Sequence, residues 1–75
     1  MSASINPYIQ RIQEFNKDIE GLKLDRAVLQ YELDDYKRYP VTTICIDSIN
    51  EQIQHIDALI NQIEIKIIQV SKLLR

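Results

Sequence analysis

Branched apolar residues recur through the second half of the chain at Ile46, Ile49, Ile53, Ile56, Ile60, Ile63, Ile67, Val70 and Leu74, in steps that alternate between three and four residues. That is the heptad pattern of an α-helix with one apolar seam, and no polar residue interrupts it. A matching seam runs through the first half at Tyr8, Ile12, Phe15, Ile19, Leu22, Arg26, Leu29, Leu33 and Tyr36. Arg26 is its one break.

Local signals bound the two helices. Asn6 is suited to be an N-cap, and Pro7 to be the first helical residue, where its missing N–H costs nothing. Pro40 cannot continue a helix and pushes Tyr39 out of the α region, so helix 1 spans about residues 7–38. Beyond it, the stretch from Val41 to Ile46 is largely β-branched and reads as extended, and Ser48 with Glu51 three residues later fits a capping box. The pattern therefore predicts a turn over 39–47 and a second helix over about 48–75, with Thr43 as the rival N-cap. Two helices on the order of 40–50 Å long, joined by a short break, lie antiparallel. The chain is expected to be one all-α domain over residues 1–75, an antiparallel two-helix coiled-coil hairpin shaped as a rod. With the fold about Thr42, residues 24–31 lie level with 53–60, and 16–20 with 64–68.

A second apolar set lies off these seams. Leu24, Ala27, Val28 and Tyr31 recur at helical spacing in helix 1; Ala58, Ile65 and Ile68 do so in helix 2, where Leu59 and Leu73 widen the stripe. At roughly 25 cal/mol per Å² of apolar surface, leaving such side chains wet forfeits on the order of several kcal/mol and invites aggregation. A second copy of the chain can cover them, and Ile at both seam positions favours three or four helices over two. Leu24, Val28, Ala58, Ile65 and Ile68 are accordingly expected to form the oligomer face of a homodimeric four-helix bundle. Arg26 must carry its guanidinium to the edge of the seam and pair it there. Asp57 and Glu64 on the facing helix are level enough to receive it. Such a pair also fixes register or oligomer state at a cost in stability.

Composition then narrows the function classes. Seventy-five residues at 8.8 kDa leave no room for a large catalytic pocket, and one Gly with two Pro cannot supply the turns of a sandwich or barrel. Nine Lys+Arg against 11 Asp+Glu give a net charge of −2, so no basic field collects nucleic acid or an anionic membrane. The single cysteine, Cys45, cannot close an internal disulfide; neither a signal peptide nor a long apolar run is present. A cytoplasmic location is expected, or host cytoplasm for a viral protein.

Catalytic parts are few. His55 is the only histidine and lies off the seam with no second ligand at metal-binding spacing, and Cys45 sits at an apolar turn between isoleucines. Gly21 is alone inside helix 1 and reads as a point where a neighbouring helix passes close. Asp34 and Asp35, and the row Asp18, Asp25 and Glu32, read as solvated flanks. No catalytic residue, metal or cofactor is expected.

The expected function is a non-enzymatic protein–protein interaction module, in one concrete form a small phage-type or regulatory inhibitor or adaptor that binds another protein. Tyr31, Lys37, Arg38 and Tyr39 near the hairpin tip are the expected contacts, because Tyr and Arg are enriched at interface hot spots. Two alternatives stand beside it. One is an obligate structural subunit of a larger hetero-complex. The other is a dimeric nucleic-acid-binding regulator that assembles a basic patch from Lys17, Lys23, Lys37 and Arg38.

Overall fold

The computed structural model describes residues 6–38 and 43–74. It contains two helices, α1 (Pro7–Arg38) and α2 (Thr43–Leu73), packed against each other, and no strand among the described residues. The start of α1 is built as its residue types dictate. The Asn6 side-chain Oδ1 accepts from the Tyr8 backbone N–H at 2.9 Å, and the Asn6 carbonyl accepts the first helical bond, from Gln10, at 3.1 Å. Lys37 and Arg38 occupy the last turn, where cations complement the helix dipole.

The two helices form a ribbon 61 × 24 × 12 Å. A helix with its side chains is about 10–12 Å across, so the ribbon is two helices wide and one helix thick. Its radius of gyration of 17.5 Å exceeds the roughly 11 Å of a compact chain this long. A single layer of this kind has only a line of contact to bury. Every buried side chain among the described residues lies on that line: Ile19 and Leu33 from α1, Ile49, Ile53 and Ile60 from α2. Leu33, Ile49 and Ile53 form the tightest cluster, with Leu29, Tyr36 and Ile46 packed against it. The remaining seam residues from Ile12 to Val70 are half-buried, while Tyr8 and Leu74 at the open end are exposed.

One boundary departs from the expectation. Residues 43–47, expected to belong to the turn over 39–47, are helical, because α2 begins at Thr43. The extended preference of a β-branched run is worth only tenths of a kcal/mol, on the order of the propensity differences between residue types, and packing overrides it. Ile46 must reach the Leu33 cluster, and helix geometry is what carries it there. Ser48 is therefore not a cap. It lies inside α2, where its Oγ accepts from Gln52 Nε2 at 3.4 Å. Tyr39, Pro40 and Thr42, which were expected to make the turn, lie outside the described residues.

Stability should follow this assignment in urea denaturation monitored by circular dichroism. Asn6→Ala is expected to cost about 1 kcal/mol as a lost cap, and Leu33→Ala about 2–5 kcal/mol as a cavity in the tightest cluster. Ser48→Ala should change stability by less than about 0.5 kcal/mol. A loss at Ser48 as large as that at Asn6 would move the start of α2 to Ser48.

Candidate interaction surface

The seam uses up one side of each helix, and rotation around the helix axis decides where the other side chains point. Each residue advances the helix by about 100°, so a residue two places from a seam position on either side stands behind the helix. Leu24 lies between Leu22 and Arg26, and Tyr31 between Leu29 and Leu33. Both occupy the back of α1. By the same spacing Ala58 and Ile65 occupy the back of α2. The two backs face in opposite directions across the ribbon.

The five residues expected to share one oligomer face therefore do not share one. Leu24 and Val28 lie along the outer edge formed by α1; Ala58 and Ile65 lie along the opposite edge formed by α2. Ile68 sits on a flank of the seam, in an open groove with Asn16, Ile19, Lys23, Glu64 and Ile67. All five are exposed. Leu24, Val28 and Tyr31 are 69%, 59% and 78% exposed, and Ile65 and Ile68 are 47% and 56%. A hairpin of two helices has no third element to cover these positions.

Arg26 is half-buried on the seam, and its Nε donates to Asp57 Oδ1 at 2.6 Å. Glu64, the other candidate, lies instead beside Lys23 in the groove with Ile68. The Arg26–Asp57 contact is a single charge-assisted bond with both side chains well hydrated, at 39% and 49% exposure. Such a pair contributes about 0.2–1 kcal/mol. Its greater effect is positional, since a bond between residues 26 and 57 is compatible with one alignment of the two seams.

The tip residues divide in the same way. Tyr36 turns inward onto the Leu33 cluster. Tyr31 and Arg38, seven residues apart, share the back of α1, and they line a shallow depression with Asp34 and Asp35. Lys37 is exposed one step around the helix, and Tyr39 lies outside the described residues. The cations Lys17 and Arg38 lie on the back and Lys23 and Lys37 on a flank, with carboxylates among them, so they do not merge into one patch. On the other flank, Asp18 and Asp25 border a groove with Gly21, Leu22, Leu59 and Ile63.

Gly21 corrects a second expectation. Apart from its chain neighbours and its own helix backbone, no atom lies within 4 Å of where its Cβ would stand, so α2 does not pass close to it. Two charged residues gain importance that their types alone did not signal. Glu51 and Lys72 continue the line of Ala58 and Ile65 along the back of α2 in equal steps of seven. That step was the available signal.

His55 is exposed, on a groove with Ser48, Glu51, Gln52 and Ile56, and Cys45 is half-buried at the start of α2. No cluster of His, Cys, Asp or Glu that could hold a metal ion occurs among the described residues. None of the described helices is long and apolar enough to cross a membrane. No family model matches the chain, and neither curated proteins nor solved structures show a significant similarity to it.

Two substitutions test this placement by thermal and urea melting. Gly21→Ala should raise stability by about 0.5–1 kcal/mol, because a methyl group enters open space and the unfolded chain loses freedom. A decrease would reveal a close neighbour at that point. Asp57→Ala should lower stability by less than about 1 kcal/mol, and the difference should shrink in about 1 M salt.

Proposed function

We propose that this chain is a non-enzymatic protein–protein interaction module, a short helical rod that works as an adaptor or inhibitor by offering its edges to other helices. The observation that carries this reading is the run Leu24, Val28 and Tyr31 along the back of α1, each more than half exposed. Apolar side chains at helical spacing on the outside of a soluble helix are what helix-in-groove recognition reads. Arg38 lies at the end of the same line, and an aromatic residue beside an arginine is the composition of an interface hot spot. Three of the depressions among the described residues are open grooves beside the seam, a shape suited to another chain more than to a small substrate.

Self-association is part of the proposal. The homodimer brings four helices together and removes some of the outward apolar surface from water, in a cytoplasmic setting that fits the single cysteine. A specific feature also favours a second reading, as a subunit of a larger hetero-complex. The outward apolar residues lie on opposite edges, so one hairpin can be held between two different neighbours.

The test is the solution mass by light scattering after size exclusion, over a hundredfold range of concentration. The expected outcome is a mass that rises from 8.8 kDa towards twice that value. Val28→Asp combined with Ile65→Asp should return it to the monomer value while circular dichroism keeps the helical signal. A mass that ignores the double substitution would remove the exposed residues from the interface.

A further inference from the structure

The backs of the two helices carry different codes. Along α2, the residues at successive steps of seven are Glu51, Ala58, Ile65 and Lys72, an order of acid, small, large and base. Turned end for end, that line is its own complement. Along α1 the corresponding line is Lys17, Leu24, Tyr31 and Arg38, with a cation at each end and a large side chain at both central positions. The same operation there sets Lys17 opposite Arg38 and Leu24 opposite Tyr31, so like charges meet.

From this difference we propose that a second copy of the chain docks antiparallel along the back of α2, with Glu51 of each copy opposite Lys72 of the other and Ala58 opposite Ile65. This rests on the self-association proposed above and names its surface. Glu51 and Lys72 are exposed, and neither makes an ion pair with another described residue. They stand about 31 Å apart at 1.5 Å per residue, so the ion pairs close both ends of a contact whose middle is apolar. A two-fold axis midway between Ala58 and Ile65 generates both pairs at once, as an isologous dimer requires. Small opposite large at the two central positions lets the helices interlock without a void.

The broad sides of the ribbon offer no comparable match. One carries Lys23, Glu64 and the hydrated Arg26–Asp57 pair, the other Asp18, Asp25 and Glu32 with Lys66 on the same side. A square bundle would bury one of these sets in each copy, and taking hydrated carboxylates and ion pairs out of water is costly. Contact through the α2 edge leaves both broad sides in water. It also leaves the Leu24–Val28–Tyr31 edge open in both copies of the dimer, pointing outward at its two ends.

The experiment is a charge swap followed by sedimentation equilibrium, with circular dichroism confirming that each variant stays helical. Glu51→Lys alone and Lys72→Glu alone should each weaken the dimer roughly tenfold, since both ends become like-charge pairs. The two together should restore it to within roughly threefold of the parent chain. Asn61→Cys in a Cys45→Ser background should oxidise to a covalent dimer, because residue 61 lies next to the two-fold axis. A dimer indifferent to the single swaps, or weakened by both and not restored, would overturn this docking and leave self-association standing. A parent chain that stays monomeric at every concentration would overturn both.

Discussion

Everything in this molecule depends on a single line of contact between two long helices. The ribbon is one helix thick, so a side chain is dry only where α1 and α2 touch, and the heptad spacing of Ile, Leu and Phe keeps that touch continuous. Even the innermost residues, Leu33 and Ile49, retain 3% and 6% of their surface. A chain of this size built as a globule would have an interior; this one has a seam. Cooperativity must then come from repetition of the same contact along the rod, because no central cluster contacts every part.

Arg26 is the one place where the seam is polar, and its bond to Asp57 shows how the register is held. Apolar seams of nearly uniform Ile and Leu tolerate sliding by a heptad, since each shift replaces one aliphatic contact with another. An arginine that must meet one carboxylate removes that freedom. The energy involved is small, because the pair stays hydrated, but choosing between alignments requires only a difference.

The same thinness produces the interaction surfaces. Most of the surface of each helix faces away from the seam, and on most of it the residues are Gln, Asn, Lys, Asp and Glu. Where apolar residues interrupt that polar coat, Leu24, Val28, Tyr31, Ala58 and Ile65 stand on the outer edges and Ile68 on a flank. The edges differ in charge order, and this gives the rod two chemically distinct sides: one self-complementary along α2, one bounded by Lys17 and Arg38 along α1. The proposed adaptor role would depend on such a distinction, since a rod whose two edges were both self-complementary would extend into filaments.

The heptad spacing was enough to establish the helices, their antiparallel pairing, the identity of the seam and the level at which Arg26 meets α2, because each follows from a repeat of 3.5 or from the length of a break. The start of α1 at Asn6 and Pro7 was equally legible, being a local matter of one cap and one missing donor. The start of α2 was legible only as the lesser of two alternatives. Local preference read residues 41–46 as extended and favoured Ser48 over Thr43 as the cap, and it was the pull of Ile46 onto the Leu33 cluster that made residues 43–46 helical. Apolar spacing likewise revealed that Leu24, Val28, Ala58, Ile65 and Ile68 lie off the seam, yet could not say that the first two and the next two face opposite ways. That is a relation between two helices, and it exists only once the seam has chosen which side of each is turned inward.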